Sequence, residues 1–325
     1  MHPAFSVIFL TTLIGVGQGL FLALFTGHLY SVIKVVPMQA DPQTFYGLGS
    51  LLALAFMAGG LVASFFHLGR PERGWRAIAM WRTSWLSREV IVLPAFMGVL
   101  ALYGLIQYLG WNPALFNLGP IPVDLSLVVG AFATVLAFAL FICTGMIYAC
   151  IKFLQEWASP LTVVNYTLLG SASGFTLATA FSALYAPEMV AFYGAWALII
   201  TAVALVTRAA SLIRNARIKH KSTLQTAIGV RHTVIVQKAQ GSMGGSVNTR
   251  DFFHGKSAAF MKSIKWIFLV MVFAVPLLLI ALGLSKVAFA VFLAAFVVQY
   301  LGLLAERWFF FAQSNHPQNL YYQTI

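Results

Sequence analysis

Two ionisable side chains, His67 and Glu89, bracket a short arginine-rich stretch between two long apolar runs. A histidine beside a carboxylate can relay protons, because both groups change protonation state under ordinary conditions. His67 and Glu89 each lie at the edge of an apolar segment that is long enough to span a membrane. Ionisable groups at membrane depth cost about 2.5–3.5 kcal/mol on insertion scales and are functional candidates by default. We therefore expect His67 and Glu89 to transfer protons at one membrane depth.

The stretch between these two residues supplies further groups of suitable chemistry. Arginines can stabilise anionic oxygens, and Trp85 offers a flat apolar surface for a ring. This combination suits a redox-active quinone, whose reduction takes up two protons at its carbonyl oxygens. The candidate quinone-binding residues are His67, Arg70, Arg73, Ser84, Trp85 and Glu89. A purely structural alternative stays open, in which Ser84 or Ser87 caps a helix, Glu89 favours the helix dipole and the arginines are topology signals.

The composition excludes a soluble enzyme and a disordered chain. Hydrophobic residues make up 60% of the 325 residues and charged residues 9%, against roughly 25% charged in an average soluble domain. About 20 residues cross a hydrocarbon core of about 30 Å as a helix. We predict an all-α, polytopic membrane protein with eight transmembrane helices in a single membrane domain, residues 1–325. The predicted spans lie in charge-free segments 1–33, 42–69, 90–123, 125–151, 157–187, 189–207, 266–285 and 287–305.

The distribution of positive charge predicts the orientation. With eight spans, 18 of the 20 lysines and arginines fall on one side, and only Lys34 and Lys286 fall on the other. The positive-inside rule then places both termini in the cytoplasm. It also predicts a long basic cytoplasmic loop, residues 214–262, and a polar C-terminal tail, residues 308–325. The loop suits a cytoplasmic partner or lipid headgroups, and we expect no nucleic-acid partner.

The sequence predicts no metal cofactor in this chain. Iron–sulfur clusters generally take four cysteines, whereas only Cys143 and Cys150 are present. Haem normally needs axial histidines, and His28 and His67 are predicted at opposite ends of their spans. Two alternatives stay open, a haem-bearing cytochrome b-type subunit and a secondary transporter. Transporters tend to place charged or broken-helix sites at the midplane, and no charge lies near a predicted span centre.

Two spaced motifs resemble the quinol-reactive membrane anchor of the dimethyl sulfoxide reductase family. They are His-Leu-Gly-x-Pro-x-Arg at residues 67–73 and Ser-x-Leu-Ser-Arg-Glu at residues 84–89. The resemblance covers the eight-span layout and is sharpest over residues 60–92. It implies quinone-binding roles for His67 and Glu89, with Arg73 as a third candidate. It also implies two partners, a molybdopterin catalytic subunit and an iron–sulfur subunit with four clusters, so that this chain would not itself oxidise the substrate.

The orientation departs from the best-known anchors of this family, which present the motif loop to the periplasm. The long basic loop and the C-terminal tail look more like the anchor branch found in cytoplasm-facing sulfite dehydrogenase complexes of sulfur-oxidising bacteria. That resemblance implies electron flow from sulfite, through molybdenum and iron–sulfur clusters in the partners, to ubiquinone or menaquinone. It also implies a location in the bacterial inner membrane.

Overall fold

The computed structural model describes residues 3–36, 38, 40–119, 121–219, 223–236, 238, 254–286 and 288–316. Eight helical segments within these ranges are long and apolar enough to cross a membrane, which confirms the predicted number. The first six are α1 (Phe5–Val32), α2 (Pro42–Phe65), α3 (Trp85–Leu109), α4 (Leu125–Ala149), α5 (Pro160–Tyr185) and α6 (Val190–Ala216).

The seventh span is divided, and a short helix precedes it. A helix of five residues, α7 (Leu224–Ile228), lies in the loop after α6. The seventh span then consists of α8 (Ala258–Leu269), a π-helical turn (Val270–Ala274) and α9 (Val275–Lys286). The eighth span is α10 (Phe289–Ala312).

The loops add little further secondary structure. A 3-10 helix, Pro71–Met80, connects α2 to α3, and a second, Pro187–Met189, precedes α6. Strands β1 (Ala114–Leu118) and β2 (Ile121–Asp124) form an antiparallel hairpin between α3 and α4. The described part of the chain therefore departs from the predicted all-α class by one short hairpin.

Polar caps set the starts of several spans. The first N–H groups of a helix have no partner within it, and a short polar side chain at the cap position can accept from them. Asp41 accepts from Gln43 and Thr44 at the start of α2. The caps of α3, α4, α5 and α8 are Ser84, Asp124, Ser159 and Ser257. These caps fix where each helix begins, and with it the faces that its residues occupy.

Helices α1 and α5 are the most buried spans and form the centre of the bundle. They approach closely at glycines, since an added Cβ at Gly174 would overlap the backbone of Gly19 and Leu20. Small residues allow such close approach between membrane helices, where no hydrophobic effect drives association. The other spans pack around this pair.

Two predicted boundaries differ from the structure. The polar tail predicted for residues 308–325 begins with helix, because α10 continues to Ala312. The Trp157 indole N–H donates to the Phe310 carbonyl at 2.9 Å and the two rings stack, so this end of the helix is packed rather than solvated. The loop predicted for residues 214–262 is also shorter, since α6 reaches Ala216 and α8 begins at Ala258. Residues 220–222, 237, 239–253 and 317–325 of these segments lie outside the described residues.

The described start and finish of the chain lie at the same end of the bundle. Ile8 near the start of α1 packs in one cluster with Trp157 and with Phe310 and Phe311 near the end of α10. The loops after α2, α4 and α6 are at this end and carry most of the lysines and arginines. We call it the basic end.

Candidate functional site

A largely apolar cavity of about 210 Å³ lies between α2 and α3 at the basic end, with Leu10 of α1 contributing to its wall. We call it the α2–α3 pocket. It is lined by Leu10, Leu61, Ser64, His67, Leu68, Leu86, Glu89, Val90, Leu93, Pro94 and Met97. Only His67 and Glu89 among these lining residues are ionisable. The structure thus brings together the two residues from which the sequence analysis started.

Glu89 projects into the pocket from α3. It follows Leu86 by three residues and precedes Leu93 by four, a spacing that places all three on one helix face. Only 9% of Glu89 is exposed. The Thr144 hydroxyl of α4 donates to its Oε1 at 2.5 Å. Glu89 is therefore a buried carboxyl group, held by one hydroxyl, within an otherwise apolar wall.

His67 lies at the mouth of the same pocket. It follows the end of α2, and its backbone N–H donates to the Ser64 carbonyl at 3.3 Å. The residue remains exposed, but partial burial of the ring lowers its pKa below the usual value. A neutral imidazole has one N–H donor and one acceptor nitrogen. His67 can therefore hydrogen-bond a ligand oxygen and exchange protons with solvent.

Ser84 and Trp85 lie outside the pocket lining. The Ser84 hydroxyl accepts from the Ser87 backbone N–H at 3.3 Å and caps α3. The Arg88 guanidinium stacks on the Trp85 ring, with its Cζ 4.2 Å from the ring centroid. Both residues lie at the start of α3, the helix that positions Glu89.

Arg70 and Arg73 also lie outside the lining, on an exposed surface. They belong to the segment that enters the 3-10 helix, where the Arg73 N–H donates to the Arg70 carbonyl at 3.0 Å. The Arg73 Nε lies 3.9 Å from Glu72 Oε1, with both side chains more than half exposed. Their placement fits contact with a partner or with lipid headgroups better than contact with a ligand in the pocket.

Three residues at this site were not found from the sequence. Leu10 and Thr144 come from α1 and α4, and neither belongs to a motif that points to α3. Pro94 lies inside α3 and lacks an N–H, so it cannot donate the usual helical hydrogen bond to the Val90 carbonyl. Of the three, only Pro94 has a sequence signal, a proline inside a predicted span.

No group of three or more His, Cys, Asp or Glu residues within the described ranges could hold a metal ion. His28, the one histidine within the described spans, lies near the opposite end of the bundle. Its Nδ1 is 3.1 Å from the Tyr103 hydroxyl, and its ring packs against Tyr46. The absence of haem and iron–sulfur clusters stays a prediction.

Comparison with known proteins identifies the family of this chain. The model of a family described as DMSO reductase anchor subunit (DmsC) matches residues 1–313. The chain belongs to this family. It is 58% identical over 326 residues to a sulfite dehydrogenase subunit from Allochromatium vinosum, and the match covers 100% of both chains. The resemblance drawn from the two motifs is confirmed. The DmsC-family chain is thus a multi-pass membrane anchor of an oxidoreductase complex and associates with other subunits.

Proposed function

We propose that this anchor binds a quinone in the α2–α3 pocket and passes to it electrons from sulfite oxidation, delivered by partner subunits. The proposal rests on one feature above all, the convergence of His67 and Glu89 on a single apolar cavity. Sulfite as the electron source is supported by the full-length similarity to a sulfite dehydrogenase subunit.

The lining of the pocket suits the two parts of a quinone. Its aliphatic side chains suit the ring and the isoprenoid tail, while His67 and Glu89 can each serve one carbonyl oxygen. Leu86 is 52% exposed and Pro94 is also exposed, so part of the lining reaches the outer surface of the bundle. A quinone dissolved in the bilayer can therefore enter from the side.

Electrons and protons balance as follows. Sulfite and water give sulfate, two electrons and two protons at a molybdopterin subunit, and the electrons pass through the clusters of an iron–sulfur subunit. The quinone takes up two electrons and two protons to become a quinol. The protonated Glu89 carboxyl group supplies one proton from inside the pocket, and His67 supplies the other from the mouth. His67 regains its proton directly from solvent, because it is exposed, and across the shared pocket it returns a proton to the Glu89 carboxylate before the next turnover.

The basic end faces the cytoplasm in this proposal. Most of the described lysines and arginines lie at this end, as the positive-inside rule requires for a cytoplasmic face. The membrane is then the bacterial inner membrane. The molybdopterin and iron–sulfur subunits dock on the basic end, beside the mouth of the pocket.

The proposal is tested by measuring the reduction of two electron acceptors by the intact complex. We expect Glu89→Gln and His67→Gln to abolish reduction of a quinone analogue by sulfite. Reduction of a water-soluble artificial acceptor, which takes electrons directly from the partner clusters, should survive. The matched controls are Glu72→Gln and His232→Gln, because both residues are exposed and outside the pocket. Full quinone reduction in both pocket variants, with normal assembly, would show that the site is elsewhere.

A further inference from the structure

Four charged side chains are buried within the described parts of the eight spans. They are Glu89 of α3, Arg208 of α6, and Glu306 and Arg307 of α10. Glu306 Oε1 lies 2.8 Å from Arg208 Nε, and its Oε2 lies 3.2 Å from Arg307 Nη1. Two guanidinium groups thus share one carboxylate. This triad by itself leaves one uncompensated positive charge inside the bundle, which is costly where water is excluded.

A second, internal cavity lies between this triad and Glu89. Its volume is about 20 Å³, and it is lined by both Glu89 and Arg307. A cavity needs about 10–15 Å³ on this measure to hold one water, together with polar partners. The hydroxyl-bearing residues Thr11, Thr144 and Ser173 also line it. The cavity therefore has the size and the polarity for a single ordered water between the carboxyl group and the guanidinium.

Among the described residues that line this cavity with Glu89, Arg307 is the only cation. Arg88, the next residue on α3 before Glu89, directs its guanidinium to the carbonyls of Trp81 and Arg82. From α4, Thr144 and the thiol of Cys143 lie nearby, and from α5 Tyr166 lies nearby. His67 approaches Glu89 only from the other side, across the α2–α3 pocket.

We propose that Arg307 is the buried counter-charge of Glu89, coupled to it through a water in the internal cavity. With Glu89 ionised, the four groups sum to zero charge. With Glu89 protonated, the interior carries one positive charge, which favours release of that proton into the α2–α3 pocket. Arg307 is thus a positioning residue that acts on Glu89 from behind, and Glu306 and the Tyr166 ring hold its guanidinium in place. The catalytic consequence rests on the proposed quinone reduction, whereas the charge coupling does not.

Thermal stability of the purified complex tests the coupling. Arg307→Met leaves Glu89 without its counter-charge, because Arg208 and Glu306 still neutralise each other. We expect this variant to lower the unfolding midpoint, and Glu89→Gln in the same background to restore at least half of the loss. Arg307→Lys, which keeps the charge, should stay near the wild type. Should Arg307→Met fail to accumulate in membranes, recovery of the double variant's abundance becomes the readout, and no recovery overturns the proposal.

Two results would overturn the coupling. One is strict additivity of the Arg307→Met and Glu89→Gln effects, since contacting groups show an interaction energy and independent groups do not. The other is rescue of Arg307→Met by Glu306→Gln but not by Glu89→Gln, which would assign Arg307 to the triad alone.

The rate of quinone reduction tests the catalytic consequence of the counter-charge separately from the charge coupling itself. An opposite charge close to an acid changes its protonation equilibrium by about tenfold or more, so Arg307→Gln should slow quinone reduction by about that factor and move its pH profile. Arg307→Lys should restore both, and reduction of the artificial acceptor should not change. If Glu89→Gln leaves quinone reduction intact while the stability coupling persists, the proposed function is wrong and the counter-charge stands.

Discussion

Replacing Thr144 by valine removes one hydroxyl group and keeps the shape of the side chain. That hydroxyl donates to Glu89 at 2.5 Å, and both residues are buried. Hydrogen bonds to charged groups contribute about 1.5–3 kcal/mol. The carboxylate that remains after Glu89 gives up its proton would lose this stabilisation. At about 1.36 kcal/mol per tenfold in rate, we expect Thr144→Val to slow quinone reduction by about 10- to 150-fold.

The assay compares two acceptors in the same purified complex. Sulfite-dependent reduction of a quinone analogue should fall, while reduction of a water-soluble artificial acceptor stays at the wild-type rate. Thr134→Val is the matched control, because Thr134 lies on the same helix and its hydroxyl donates to the Gly130 carbonyl at 2.9 Å. Equal quinone reduction in the Thr144→Val and Thr134→Val complexes would refute the role assigned to this hydrogen bond.

Three further predictions follow from the fold and the pocket. Gly174→Ala should destabilise the detergent-solubilised protein by at least the ~1–3 kcal/mol typical of overpacking, whereas Gly98→Ala, whose added Cβ meets nothing within 4 Å, should melt like the wild type. Partial burial lowers the pKa of His67, so its protonated form accumulates only below the usual 6.5, and quinone reduction should rise as the pH falls through this region. His67→Gln should abolish quinone reduction at every pH, and residual activity that rises in the same way as the pH falls would contradict this role of His67. A fluorescent protein fused after Ile325 should fold and glow, and an active alkaline phosphatase at the same point would place the basic end outside the cytoplasm.

The sequence alone was enough to predict the eight spans, the two ionisable residues at the pocket and the family. Span number is readable because charges are excluded from hydrocarbon, so long charge-free segments mark membrane helices one at a time. His67 and Glu89 could be paired because a single loop joins α2 to α3 and returns the chain to the same depth. The motifs around them were sufficient to indicate the family that the full-length comparison confirmed.

Tertiary structure alone decided which side chains meet. The sequence placed Arg70, Arg73, Ser84 and Trp85 with the quinone, but the structure places them outside the pocket lining. The direction of a side chain depends on how its helix is rotated and capped, which a loop motif does not specify.

The sequence likewise did not indicate which side chains lie near Glu89 on the side away from the α2–α3 pocket. Thr144 and Arg307 come from helices far along the chain. Arg208, Glu306 and Arg307 stand at the edges of charge-free segments, where a charge is expected to be solvated, yet all three are buried. Their burial arises from the packing of α6 and α10 against the centre of the bundle. Packing between helices distant in sequence is a property of the whole fold, because it depends on every neighbouring surface at once.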